Sequence, residues 1–273
     1  MTIKLIALDL DGTTLNSKGR LTERTRNVLE KAISKGINVV IATGRCYSAL
    51  PEEIIGICGI QYALTSNGAQ IKDLRSGETL MSNCMDPFSV EESADVLSRY
   101  DYMTEVFTDG KAYIEKKNYD EIASGGITYR YRDYVLRTRN PVEDAMGFMI
   151  EHKDAIENIN IFFDDQEDKK RMWRVLSEIS NVTVTSSLDN NWELGGATTS
   201  KAAALEELCH ILDVHKKEIM ACGDSLNDKD MLMEAGLPVA VGNAKDVIKE
   251  IASYITGTNN EDGVAEAIEK FAF

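Results

Sequence analysis

Apolar and polar positions follow one another in two different textures along the chain. The opening stretch, "IKLIALDLDGTTL", places an unbroken apolar run ahead of a pair of acids. A run without alternation predicts a strand buried on both faces, as parallel sheets covered by helices require. "LTERTRNVLEKAISKG" follows with helical periodicity. Thr22 is the expected N-cap, Val28, Leu29, Ala32 and Ile33 fall on one face, and Gly36 ends the helix. "INVVIATGR" is a second buried strand, "EEIIGICG" a short helical piece, "QYALTSNGA" a third strand, and "AQIKDLRSGETLM" two short extended segments about a Ser-Gly turn. Strand, helix and strand at this spacing predict a parallel α/β sheet.

From about Cys84 the pattern becomes mixed. "PFSVEESADVLSRYD" is helical and "MTEVFTDGKAYIEK" strand-like; in the polar and aromatic stretch "YRYRDYVLRTRNP" that follows, "YRYRDYVLR" reads as an amphipathic strand with solvated arginines, with contact to an anionic substrate as the alternative. Then come "INIFFDD", a charged helix "QEDKKRMWRVLSEIS" and the strand pair "VTVTSS" and "NWELGG". The α/β alternation resumes with helical "SKAAALEELCHIL", the strand "EIMACGDS", helical "LNDKDMLMEAG", the strand "LPVAVGN" and two last helical runs. The expected organisation is an α/β core in two pieces, 1–83 and 195–273, with an α+β domain inserted over 84–194.

In parallel α/β sheets ligands bind outside the carboxyl ends of the strands. Those ends carry Asp9-Leu10-Asp11, Thr43-Gly44-Arg45, Thr65-Ser66-Asn67-Gly68 and Gly223-Asp224-Ser225-Leu226-Asn227-Asp228, and Lys201 opens the helix before the last of them. At successive same-side positions of a strand Asp9 and Asp11 would point the same way, so something cationic, or a proton, is needed to relieve them. All-oxygen ligands suit Mg²⁺, held by Asp9 and Asp224. With the acids offset and Arg45 or Lys201 alongside, the pocket can accept a phosphate dianion. Asp9 can then attack phosphorus, and Asp11 can protonate the leaving alkoxide and later deprotonate water. Gly12 lets the backbone come close, which offers the amides around Leu10, Gly12 and Thr13, the Thr13 hydroxyl, and Thr43 to phosphate oxygens.

Composition narrows the partners. The 273 residues are 43% hydrophobic, enough for a sizeable core. A formal charge of −15 argues against nucleic acid or an anionic membrane as main partner. It leaves a small anion in a cleft possible, because salt screens exposed charges beyond about 8 Å. No apolar stretch approaches the roughly 20 residues of a membrane span, so a cytoplasmic protein is expected. The five cysteines show no C-x-x-C pair and read as reduced filler; His152, His210 and His215 read as packing or surface residues, and Asn67 as a loop-closing one.

These residues also carry a family resemblance. "DLDGT" at Asp9–Thr13, "ATGR" at Ala42–Arg45, Lys201 and "GDSLND" at Gly223–Asp228 resemble the four motifs of the haloacid dehalogenase superfamily. "TSNGA" at Thr65–Ala69, "GNA" at Gly242–Ala244 and "NNEDGVAEAI" at Asn259–Ile268 resemble its Cof-type (IIB) subfamily. The resemblance implies a Rossmann-like, doubly wound core with an inserted C2-type α+β cap, and a Mg²⁺-dependent phosphatase of small phosphorylated metabolites, often sugar phosphates. By position it implies that Asp9 is nucleophile and metal ligand, and that Asp11 is acid/base with its carbonyl on the metal. Asp224 is then a ligand supported by Asp228, and Asn227, Thr43 and Lys201 face the phosphate. A sugar-phosphate mutase and a non-catalytic sugar-phosphate-binding protein are the alternatives, and a monomer or homodimer is expected.

Overall fold

The computed structural model describes residues 2–273. In chain order the strands are β1 (Leu5–Leu8), β2 (Asn38–Ala42), β3 (Tyr62–Thr65), β4 (Gln70–Asp73) and β5 (Thr79–Ser82), followed by β6 (Met103–Thr108), β7 (Lys111–Glu115), β8 (Arg139–Val142), β9 (Ile156–Phe162), β10 (Val182–Thr185) and β11 (Asn191–Gly196). The chain ends with β12 (Ile219–Gly223), β13 (Leu237–Ala240) and β14 (Tyr254–Ile255). It divides into two compact units. One comprises the residues up to Gly44, Leu50–Ser82 and Ser200–Phe273; the other comprises Arg45–Ala49 and Asn83–Thr199.

The first unit is an α/β sheet in the order β14-β13-β12-β1-β2-β3-β4-β5, parallel from β14 to β3 and antiparallel at β4 and β5. Each residue of β1 is buried, as its unbroken apolar run requires. Thr22 caps the helix Glu23–Ser34, its hydroxyl accepting the Thr25 N–H at 3.1 Å. From β1 the chain builds outward through β2 and β3; after the insertion it returns to the other side of β1 and builds outward again through β12, β13 and β14. The reversal lies between β1 and β12, the position at which doubly wound sheets bind ligands.

The second unit is an α+β domain with sheet order β10-β11-β9-β6-β7-β8, antiparallel except between β7 and β8. Alternate residues of β9 serve two cores. Ile159 and Ile161 pack with Val90, Met149 and Met172, whereas Phe162 packs with Met103, Ile122 and Val135. One expectation fails here. The stretch read as an amphipathic strand forms the helix Arg132–Thr138, and Arg130 and Arg139 on its flanks are buried. The physical reason is Glu105, fully buried on β6. Burial would raise its pKa, but Arg130 and Arg139 outweigh that and hold it below the ordinary carboxylate range. Arg139 reaches its Oε2 from Nε at 2.9 Å and from Nη2 at 2.7 Å, and Arg130 donates to Oε1. Arg130 in that stretch and Arg139 just beyond it are counter-charges of a buried acid, while Arg132 and Arg137 are exposed.

Candidate active site

β1 stops at Leu8, and the chain turns through Leu10–Gly12. The Leu10 side chain is buried, and its carbonyl accepts the amides of Thr14 at 3.1 Å and Leu15 at 2.9 Å. The turn separates the two acids: Asp9 is buried while Asp11 is exposed. Asp9 donates its backbone N–H to the Cys222 carbonyl of β12 at 3.1 Å, and its own carbonyl accepts the Thr14 hydroxyl at 2.5 Å. The carboxylates that press on Asp9 are Asp228 and Asp224, from the far end of β12. One oxygen of each of Asp9, Asp224 and Asp228 lies within 4.8 Å of the others.

Lys201 is the cation of this cluster. Its Nζ donates to Asp9 Oδ1 and to Asp228 Oδ1, each at 2.7 Å, with 1% of the residue exposed. Ser200 caps the helix Lys201–Leu212 by accepting the Ala203 N–H at 3.1 Å, which fixes where that helix begins. Its start also packs against the turn after β3. Gly68 sits there at φ +93°, and a Cβ on it would come within 2.2 Å of the Ser200 carbonyl oxygen. Only glycine allows both the left-handed backbone and that approach.

Asp228 is fully engaged by the protein. Beyond Lys201, its Oδ2 accepts the N–H groups of Asp224 at 2.9 Å and Ser225 at 3.0 Å, closing a Ser-x-x-Asp capping box. Asp224 is thereby aimed at the Asp9–Thr13 turn, where the Thr13 hydroxyl donates to Oδ1 at 2.7 Å, while the neighbouring Ser225 hydroxyl donates to Oδ2 at 2.9 Å. Gly12, at φ +83°, would bring a Cβ within 2.8 Å of Asp224 Oδ2. The "DGT" and "GDS" turns are in contact, and glycine makes that contact possible.

The electrostatics follow from burial. Removal from water pushes the Asp9 pKa well above the ordinary carboxylate range; Lys201 opposes this, and Asp228 and Asp224 add to it. Burial and then Asp228 push Asp224 up to about 6, against the Thr13 and Ser225 hydrogen bonds and Lys201. Burial would lower the Lys201 ammonium, but Asp228 and Asp9 outweigh it and hold its pKa above the usual value. One buried ammonium does not offset three converging carboxylates. The donor set is hard oxygen without thiolate or imidazole, which fits a divalent cation of the Mg²⁺, Mn²⁺ or Ca²⁺ class.

A measurement of stability tests that fit. Asp9 and Asp224 both hold protons more tightly when folded than when unfolded, so stability from these two groups is present at low pH and is lost as pH rises, for Asp224 from about 4 through about 6. A bound cation removes the loss. At about 100 times its dissociation constant a cation adds ~2.7 kcal/mol, or roughly 5–10 °C in Tm for a chain of this size. We expect that gain at about pH 8 and nearly none at about pH 5, by thermal melts with and without the ion; an equal shift at both pH values would remove the cluster as its source.

The remaining sequence candidates are distributed as follows. Asp11 forms an isolated bridge with Leu15 and is not one of the three convergent acids. Thr43 is buried at the end of β2, with its N–H on the Leu64 carbonyl at 2.9 Å and its carbonyl accepting the Asn67 N–H at 3.0 Å. Gly44 follows it, half-buried. Asn227 donates to Asn67 Oδ1 at 3.0 Å, so two strand ends are tied to each other. Arg45 groups with the second unit; its Nη1 donates to the Ala49 carbonyl at 3.1 Å and its guanidinium lies 4.9 Å from the Tyr134 ring centroid. The sequence reading assigned no role to Ser225 or Thr14, although the capping-box spacing of Ser225 and Asp228 was legible as a signal.

Comparisons with known proteins agree with this architecture. Residues 6–268 match the family profile of haloacid dehalogenase-like hydrolases. Phosphatase YwpJ of Bacillus subtilis is 34% identical, with 98% of this chain and 99% of that protein covered. From the same organism, 5-amino-6-(5-phospho-D-ribitylamino)uracil phosphatase YcsE is 33% identical, over 97% of this chain and 94% of its own length. A solved haloacid dehalogenase-like hydrolase from B. subtilis superposes with a TM-score of 0.85 at 32% identity, covering 98% of this chain and 99% of that one. With the matched profile spanning both acidic turns and the helix that carries Lys201, the chain belongs to the haloacid dehalogenase-like hydrolases.

Proposed function

We propose that the protein is a Mg²⁺-dependent phosphatase of small phosphomonoesters, sugar phosphates or metabolites of similar size, working through an aspartyl-phosphate on Asp9. The observation that carries this reading is the meeting of Asp9, Asp224, Asp228 and Lys201 at the β1/β12 switch point. The relatives named phosphatases support it along their whole length.

Asp9 and Asp224 would supply carboxylate oxygens to the metal and Asp11 its backbone carbonyl, while Asp228 holds the Asp224 turn and Lys201 in place. The ion supplies positive charge against the phosphate dianion and the charge that develops during transfer. Lys201 binds Asp9 Oδ1, which leaves Oδ2 as the attacking oxygen. The Asp9–phosphorus bond forms as the ester P–O bond breaks, and Asp11 gives its proton to the departing alkoxide. Asp11, now a carboxylate, takes a proton from water as that water attacks phosphorus, releasing phosphate and restoring Asp9. Exposure suits Asp11 to exchanging protons with solvent and substrate. The amides of Leu10, Gly12 and Gly44, the Thr43 hydroxyl and the Asn227 side chain bind phosphate oxygens in this reading.

Phosphate monoester hydrolysis without an enzyme is among the slowest reactions known, and enzymes accelerate it by up to ~10²¹. One acid–base pair contributes only about 10²–10⁴, so nucleophile, cation, ammonium and proton donor must act together. The test is phosphate release from a panel of phosphorylated metabolites, with and without Mg²⁺, including the ribitylaminouracil phosphate named for YcsE. Release that requires Mg²⁺ and needs no bisphosphate activator supports the reading and removes a mutase; Mg²⁺ binding without release from any ester leaves a binding protein. Asp11→Asn should lower kcat by about 10²–10⁴ while keeping the cation-induced rise in Tm. Normal turnover in that variant would move the acid/base role elsewhere.

A further inference from the structure

The helix Lys201–Leu212 presents its first residue to the acids. Further along, together with the segment that follows it and the start of β12, it walls a groove of about 350 Å³. That volume falls within the range of small-molecule sites. Leu205, Cys209, Val214 and Ile219 are buried and form an apolar floor. Among the described residues, the lining shares none with the cluster of Asp9, Asp224, Asp228 and Lys201. Ile219 opens β12, and the acids follow its other end, about 13 Å away at the rise of a strand. The groove is a feature of the core that the reaction proposed above does not use.

The charges at its mouth are one-sided. Glu206, Asp213 and Glu234 stand there with a single ammonium, that of Lys216, and His210 and His215 complete the rim. Lys216 is already shared: Nζ donates to Glu234 Oε2 and lies 3.3 Å from Glu206 Oε1. Asp213 makes no ion pair among the described residues. It also ends a helix of 12 residues, where the last carbonyls carry partial negative charge. A positive charge placed at Asp213 is therefore favoured twice, beside a floor that rewards apolar atoms. Cys209 does not make the groove reactive. Burial and then Glu206 push its thiol up to about 11, so it stays protonated at neutral pH and occupancy rests on packing and charge.

We propose that this groove is a second ligand site, for a small cation with an apolar body such as an arylalkyl ammonium, the body lying on Leu205, Cys209, Val214 and Ile219 and the ammonium on Asp213. It is independent of the phosphatase reading, because it concerns binding alone.

The test titrates phenethylammonium into the isotope-labelled full chain at neutral pH and low salt, beside phenylpropionate, an anion of similar size. The amine should shift the amide resonances of Cys209, Val214 and Ile219 saturably, and the anion should bind at least about 10-fold more weakly. Asp213→Asn keeps the left-handed cap at φ 52°, which asparagine tolerates. It should weaken the amine about 2–5-fold, the range of one exposed ion pair, and Glu206→Gln should weaken it less. Equal binding of the two probes, shifts scattered over the acidic surface, or no saturable shift at the groove overturns the proposal. A greater loss from Glu206→Gln than from Asp213→Asn overturns the place given to the ammonium. Ile211 and Met233 are exposed on the two helices beside the groove, so a second copy of the chain is the rival occupant. A dimer in sedimentation that Met233→Lys splits would put that copy there and overturn the proposal as well. Each of these outcomes leaves the phosphatase reading standing, since ester hydrolysis is measured separately.

Discussion

Asp9→Asn abolishes Mg²⁺-dependent hydrolysis of p-nitrophenyl phosphate, with kcat falling by at least about 10³–10⁴, and the metal-free protein is no less stable for it at neutral pH. The two halves of this expected result have one cause. Asparagine is nearly isosteric, and its amide oxygen can still accept from Lys201, so the fold keeps the 2.7 Å contact. It lacks the anionic oxygen that attacks phosphorus. The folded state already favours a neutral group at this position, since burial and the neighbouring acids hold the Asp9 pKa well above its unfolded value. By linkage, a residue that is always neutral avoids the loss of stability that Asp9 imposes once pH passes the carboxylate range. Turnover measured by nitrophenolate release and Tm measured without metal check both halves. Retained turnover removes Asp9 as nucleophile; a large fall in Tm would mean that its charge is needed to hold Lys201.

Much of this site was legible before any coordinates, and the reason is topological. Apolar runs buried on both faces identify parallel strands, and parallel strands deliver their carboxyl ends to one edge. Asp9, Thr43, Asn67 and Asp224 could therefore be placed together although they are far apart in sequence. The sequence could not show where β1 ends. It was read as running on through Asp9 and Asp11, which would have set those two acids side by side; the turn after Leu8 instead leaves Asp9 against Asp224 and Asp228. The helix over Arg132–Thr138 was hidden for a different reason. The alternation of tyrosine and arginine leading into it imitates a half-exposed strand, and only the buried Glu105, distant in sequence, explains why Arg130 and Arg139 on its flanks turn inward. Asn243 stood in the sequence only as part of "GNA"; its contact with the Gly12 carbonyl was hidden, because carbonyls leave no trace in sequence.

Lys201→Met carries the largest expected effect on stability, and its size depends on pH. The side chain is enclosed, and a methionine of similar length fills the space without the ammonium. Asp9 and Asp228 then lose their shared counter-charge while Asp224 remains beside them. Breaking a buried pair from one side costs about 3–5 kcal/mol, which for a chain of this size is a fall of roughly 6–20 °C in Tm. That fall should appear in full in metal-free protein at about pH 8 and shrink as pH drops toward 5, because Asp9 and Asp224, whose pKa values burial already raises against the opposing Lys201, take up protons. Saturating Mg²⁺ should restore part of it at high pH by occupying the place of the missing charge, without restoring turnover. Lys201→Arg should not rescue either property, since the longer, planar guanidinium has no room at a site with 1% exposure. Melts of the three proteins at two pH values, with and without Mg²⁺, separate these effects. A methionine variant as stable as wild type at about pH 8 without metal would show that the acids are not held together by Lys201, and the electrostatic account of the site would fail with it.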